Sequence, residues 1–380
     1  MFTGFLRKHK KIIIFVLSLV LVTGILVLLY YLSVKDPEGV NNIYTAHIFN
    51  IVNYPAKLIA GTVPFSVGEV LLYILIILFA ASLIAVPVLT IVRSVKNKKF
   101  TGKYLIRFFV VILCVACLGV SLFVVNGAFN YNRPSFASLN GYEIKESHVD
   151  ELKALCSDLL DKANEARSRL SDKEDGTVLF SSDQSGICEL ALSAYEKIGE
   201  KYNMPYGFYP KAKPAIMSDI MSTFRITGIY PYIYPEAIYN KNTPDPALPH
   251  TICHEMAHQR GFALEDEANY IGYLACVNSD APELQYSGYY EMFVYAGNAL
   301  FGYDSDAYYE IAGKMCDGMR RDMIAESEYW KQYEKKNNPA AVVSEVVNDA
   351  YLKINNVDDG IHSYGLVVDL LLAEYRAGKG

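Results

Sequence analysis

Charge is scarce in this sequence, and nowhere in its globular part are basic residues gathered into a stripe. Only 20% of residues are Asp, Glu, Lys or Arg, and the formal net charge is -6. Nothing therefore argues for nucleic-acid binding, and a water-soluble substrate or a protein is the expected partner. A disulfide framework is missing as well. Of seven cysteines, Cys114 and Cys117 fall in an apolar run, and Cys156, Cys188, Cys253, Cys276 and Cys316 form an odd, scattered remainder. Cys114 and Cys117 have C-x-x-C spacing, but no other ligand type lies near them, so they are assigned to packing. What the chain has in excess is apolar sequence: 52% of residues are hydrophobic, which points to a membrane part fused to a globular one.

The apolar excess is N-terminal. Ile12 to Val34 carries no charge and is long enough for a bilayer, which needs about 20 apolar residues. It exceeds the roughly 7 to 15 apolar residues of a cleaved signal peptide. Phe65 to Val92 and Tyr104 to Phe129 are the second and third expected spans, the latter with Arg107 placed to snorkel. Between the first two, Ile43 to Ile59 has the spacing of a helix lying at a membrane surface. Arg7, Lys8, Lys10 and Lys11 precede the first span, and Arg93, Lys96, Lys98, Lys99 and Lys103 fill the loop between the second and third. Both basic segments mark the cytoplasmic side. The expected organisation is a membrane region over 1–129 and an extracytoplasmic domain over 130–380.

That domain reads as α+β, mostly helical. Leu152, Leu155, Leu159, Leu160 and Ala163 recur at helical spacing within Val149 to Leu170, as do Leu190, Ala191, Ala194, Tyr195 and Ile198 within Gly186 to Tyr202. Both are scaffold helices. Arg225 to Tyr239 is rich in β-branched and aromatic residues but holds Pro231 and Pro235, so an edge strand or extended segment fits better than a central strand. An exposed edge of this kind can capture an extended peptide through main-chain hydrogen bonds. Asn242 to Pro249 breaks the chain before a helix. Further helices are expected over Tyr286 to Tyr303, Tyr308 to Tyr329 and Ile361 to Tyr375, with another element leading from Asn337 to Leu352.

The chemistry concentrates in Leu248 to Tyr270. His254-Glu-Met-Ala-His258 is an H-E-x-x-H run, which an accident of composition would produce on the order of once in a hundred chains of this make-up. On a helix, His250, His254 and His258 form a column rising roughly 6 Å per step. One zinc ion with nitrogens at about 2.0 to 2.1 Å bridges two neighbours of that column and not three. Glu255 selects His254 and His258, because hydrolysis needs a base beside the metal site; His250 is left one turn away. Gly261 permits the chain to turn. Glu265 to Asn278 then reads as a second helix whose stripe of Ala268, Ile271, Gly272, Ala275 and Cys276 can pack tightly on the first. Glu265 and Glu267, at its start, are the candidates for a third zinc ligand.

Glu265-Asp-Glu-Ala-Asn269 resembles the E-x-x-A-[D/N] second-helix motif of gluzincin metallopeptidases, in which the first Glu binds zinc and the residue four later supports the site. Three spans, His254 to Gly261 and Glu265 to Asn269 together resemble the bacterial domain-of-unknown-function family numbered 3810, which is grouped with zincin-type peptidases. Tyr286-Ser-Gly-Tyr289, Ser363-Tyr364 and Val367-Val-Asp-Leu370 are similar to it as well. The resemblance implies a zincin-like domain with an active-site helix and a small edge-strand sheet. It also implies a zinc-dependent peptidase with His254, His258 and Glu265 as ligands and Glu255 as general base. A non-catalytic zincin-fold sensor or binding protein of the cell envelope is the alternative. Two departures are plain: only six residues separate His258 from Glu265, and Asn269 stands where Asp is commoner. A metzincin third ligand would fall on Leu264, which cannot bind zinc. Candidates to stabilise a developing oxyanion are His362, Tyr286, Tyr289 and Tyr230. The expected partners are a peptide or protein substrate and the lipid bilayer.

Overall fold

Each of the three apolar runs folds as one long helix, the form in which a chain without water around it satisfies its own backbone groups. The computed structural model describes residues 2–100, 102–145, 147–202, 204–333 and 365–378. The helices are α1, Phe2–Ser33; α2, Val67–Lys96; and α3, Lys103–Asn126. In each, a stretch is long and apolar enough to cross a membrane: Lys10–Ser33, Val67–Lys96 and Lys103–Asn126. This suggests membrane association. α3 packs against both other helices, and Thr23 of α1 meets Ser121 of α3 hydroxyl to hydroxyl at 3.0 Å. Helix is found where Ile43 to Ile59 predicted it, as a π-helical stretch, Val40–Ile48, running on into an α-helix, Phe49–Gly61.

The chain forms two compact units. One comprises Met1–Ala56, Val67–Arg133 and Pro231–Pro235; the other comprises Lys57–Ser66, Pro134–Tyr230 and Glu236–Gly380.

The second unit is built on helices: α4, Val149–Ser168; α5, Gln184–Lys201; α6, Leu248–His258; α7, Glu265–Val277; α8, Pro282–Tyr303; α9, Asp317–Lys331; and α10, Leu366–Ala377. The stripe Leu152, Leu155, Leu159, Leu160 and Ala163 is buried, and α4 lies along α8. Asp183 caps α5 by accepting from the Gly186 N–H at 2.8 Å. Where one helix was expected over Tyr308 to Tyr329, the chain forms Ser305–Ala312 and then α9. The break comes at Gly313, after which Met315 turns inward and Cys316 is extended. The element expected between Asn337 and Leu352 lies outside the described residues.

Strands are few and short. β1, Ser171–Asp172, pairs antiparallel with β2, Val178–Leu179. In a separate sheet β3, Lys213–Pro214, and β4, Gly228–Ile229, flank a central β5, Ile238–Tyr239. β5 is parallel to β3 and antiparallel to β4, with Gly228 opposite Tyr239 and Ile229 opposite Ile238. Pro231 and Pro235 fall in the connection between β4 and β5, where no ladder bond is lost. Beside β5 a buried ion pair joins Lys213 to Glu236 at 2.7 Å; the same ammonium donates to the Phe65 carbonyl, and the Ser66 hydroxyl donates to Glu236. These bonds fasten the segment 57–66 to the sheet.

Candidate metal centre

Helix α6 starts with Leu248 and Pro249, whose fixed φ suits a first turn, and almost its whole length is buried. Its C-terminal turn is closed by Gly261, at φ 84°, a left-handed conformation that favours glycine, and by the Phe262 N–H donating back to the Ala257 carbonyl at 3.3 Å. Six residues suffice for the reversal. α7 then returns beside α6 at very short range: a Cβ on Gly272 would lie 3.0 Å from the His254 nitrogen and 3.2 Å from its Cα. The small-residue stripe of α7 serves this approach, with Ala268, Ile271, Ala275 and Cys276 fully buried.

The result is a convergence of three side chains. His254 Nε2 and His258 Nε2 are 3.1 Å apart, and the Glu265 carboxylate lies 3.2 Å from the first and 3.6 Å from the second. One ligand atom from each lies within 4.8 Å of the other two. Tetrahedral zinc with bonds of about 2.0 to 2.1 Å would hold its ligand atoms about 3.3 to 3.4 Å apart, so this donor set fits such an ion in both spacing and type. His258 Nδ1 is turned to the Phe262 carbonyl at 2.6 Å, which leaves Nε2 directed at the cluster. Glu255, next to His254, is buried beneath β4: a Cβ on Gly228 would sit 2.3 Å from its Oε1. Its Oε2 is buried without a hydrogen-bond partner among the described residues, as is His254 Nδ1. An orphaned buried carboxylate oxygen is costly and calls for a functional reason.

A family model described as "Protein of unknown function (DUF3810)" matches residues 44–372. The chain belongs to that family. No curated protein and no solved structure matches it. The matched region of this DUF3810 chain contains α6, α7, the sheet and the segment 57–66, so the whole cluster lies inside it.

The other residues of the DUF3810 chain singled out by sequence take different places. Glu267 is buried, and its Oε1 accepts from the Phe136 N–H at 2.5 Å, so it does not join the cluster that Glu265 completes. His250 is buried one turn before His254, its Nε2 3.0 Å from the Asn269 carbonyl and its N–H donating to Ser287 Oγ. Burial pushes its pKa down to about 4, and it stands as a neutral packing residue. Asn269 does not orient a cluster histidine through its amide: its side chain bonds the Tyr295 hydroxyl, and the Phe262 carbonyl orients His258. Of the oxyanion candidates, Tyr230 lies at the cluster, its ring 6.0 Å from that of His258. The Tyr286 hydroxyl is committed to Asp322 at 2.6 Å, and Asp322 also binds Arg167 at 2.7 Å. Tyr289 packs on Tyr273 with Lys162 near its face. His362 lies outside the described residues.

Electrostatics divides the cluster. Burial raises the Glu255 pKa to about 7, against the opposing pull of His254 and His258. For His258 burial acts downward, but Glu265, Glu255 and the Phe262 carbonyl outweigh it and lift the pKa to about 9. Glu265 is held well below the usual carboxylate range: burial opposes this, and the two histidines prevail. Sequence reasoning passed over three participants. Gly228 gave only the weak signal that glycine in a strand marks a close approach. The Phe262 carbonyl gave none. Lys57 is the third: it is buried under the Tyr209 ring at 4.1 Å, and its Nζ donates to the Gln259 carbonyl at 3.2 Å, one residue past His258.

Proposed function

We propose that this protein is a membrane-anchored zinc metallopeptidase of the zincin type, hydrolysing peptide bonds on the extracytoplasmic side. The observation that carries the reading is the convergence of His254, His258 and Glu265 beside the buried carboxylate of Glu255. A zinc ion bound there would supply a Lewis acid and lower the pKa of a coordinated water to about 7. Glu255, its own pKa near 7, is poised to accept a proton at the unpartnered Oε2 and to return it to the leaving amine. Tyr230 is the candidate donor to the developing oxyanion. Among the described residues β4 has a strand on one side only, so its other edge can receive an extended peptide by main-chain hydrogen bonds. The basic residues before α1 and between α2 and α3 support a cytoplasmic N-terminus.

The test uses full-length protein in detergent. Metal analysis of wild type, Glu255→Gln and His258→Ala should find one zinc per chain in the first two and none in the third. Cleavage of a peptide library should follow in the wild type alone. A wild type that retains no zinc overturns the reading; zinc retained with no cleavage of any peptide favours a non-catalytic binding protein instead.

A further inference from the structure

We infer that the second compact unit carries its own seat on the bilayer surface, formed by Leu58, Ile59, Phe65, Tyr206 and Phe208. All five are exposed, Tyr206 at 95% of its surface, although each is a large apolar or aromatic side chain. The two segments that carry them are brought together by contacts within the unit. Phe208 packs on Gly61, whose added Cβ would lie 3.1 Å from the Phe208 ring; Tyr209 covers the Lys57 ammonium; and Lys213 donates to the Phe65 carbonyl. The loop 204–213 is thereby pinned along the segment 57–66.

What covers this face is set by the covalent chain. Ser66 is followed directly by Val67, the first residue of a 30-residue helix long and apolar enough to cross a membrane, interrupted near its start only by Glu69. The charge-free part of that helix, Val70–Val92, rises about 35 Å, close to a hydrocarbon core of about 30 Å, so the boundary falls about a turn past Val67. Phe65 therefore stands at headgroup depth, and the loop bonded to it stands there too. Tyrosine and phenylalanine exposed at that level belong to the side chains that partition into a membrane interface. In water the same patch would be an exposed apolar surface without function. The occupant is thus lipid, at the junction of headgroups and acyl chains, and the unit is held by its surface in addition to the spans. Lys57 lies on the same segment, so the seat and the C-terminal end of α6 share one support.

This inference rests on α2 crossing the bilayer and is independent of any enzymatic activity. Full-length protein is reconstituted into phosphatidylcholine vesicles. The chain has a single tryptophan, Trp330. With Trp330→Phe as background, Tyr206→Trp and Phe208→Trp each place a sole fluorescent reporter in the patch. Vesicles made with phosphatidylcholine brominated near the top of the acyl chains should quench most of the emission at both positions, and aqueous iodide should quench little. Should Trp330→Phe impair folding, the same substitutions with Trp330 retained are compared with wild type, and the added emission is read alone. Reporters open to iodide and untouched by brominated lipid overturn the seat. A chain that fails to float with the vesicles overturns the spans instead.

Discussion

Placing a methyl group on β4 tests the seating of Glu255, the proposed general base. At Gly228 a Cβ would meet Glu255 Oε1 at 2.3 Å, Cγ at 2.7 Å and Cδ at 2.8 Å, whereas ordinary contact begins at 3.4 Å, so the carboxylate or the strand must move by about 1 Å. Glu255 is 4% exposed, so the shift takes place inside the packed unit. Gly228→Ala should therefore destabilise the unit by about 1 to 3 kcal/mol, as overpacking does. This corresponds to about 2 to 4 °C in melting temperature per kcal/mol for a unit of this size. Zinc binding should survive, because no ligand is touched, while turnover should fall on the order of 100-fold from a base misplaced by about 1 Å. The assay is a double-mutant cycle read by thermal unfolding in detergent. In a Glu255→Ala background the colliding atoms are gone, and Gly228→Ala should cost less than about 0.5 kcal/mol, leaving a coupling of at least about 0.5 kcal/mol. Equal costs in both backgrounds would falsify the contact and with it the placement of Glu255 beneath β4.

Zinc uptake should be pH dependent. His258 must lose a proton to bind metal, and its pKa is raised to about 9, so apparent affinity should rise with pH and level off near 9. Calorimetry in buffers of different ionisation heat should count close to one proton released per zinc at pH 7, and uptake without proton release contradicts the assignment. Gly272→Ala should separate α7 from α6, since the added Cβ meets His254 backbone, which cannot swing aside; chelator competition should show zinc held at least about tenfold more weakly. Tyr230→Phe should lower turnover on the order of 100-fold at unchanged zinc content. Tyr286→Phe should instead cost about 1 to 3 kcal/mol of stability, by taking a donor from buried Asp322, and leave zinc binding alone. An alkaline phosphatase fused after Gly380 should be active in cells, as it folds only outside the cytoplasm; an inactive fusion beside an active one in the loop 93–103 reverses the proposed orientation.

How much of this could be read beforehand follows from the range over which each feature is encoded. The apolar runs, the His254 and His258 column and the small stripe ending in Cys276 are local periodicities, and each appears in the structure where its spacing put it. Glu265 and Glu267 illustrate the limit. Both open the same helix, and what separates them is Phe136, more than a hundred residues earlier, whose N–H takes Glu267 out of reach. Tyr286 and Tyr230 differ in the same way: one is drawn into the Arg167 and Asp322 pair, and the other is set beside His258 by a two-residue strand. That sheet was only half legible, because β3 is two residues long, includes a proline and is completed by β5 from 25 positions further on. The split of the expected Tyr308 to Tyr329 helix was local after all, since Gly313 is a helix breaker in plain view.

The interleaving of the two compact units has a practical consequence for how this protein can be taken apart. A fragment beginning after the third apolar helix looks like a natural soluble domain, yet it discards Lys57 to Ser66. With them go a hydroxyl donor to Glu236, a carbonyl acceptor of the Lys213 ammonium and the cation on Gln259 beside the last histidine of the motif. The excised piece would keep every proposed ligand in its sequence and lose part of the frame that aims them. Absence of zinc or activity in such a fragment would then report on the cut and not on the chemistry.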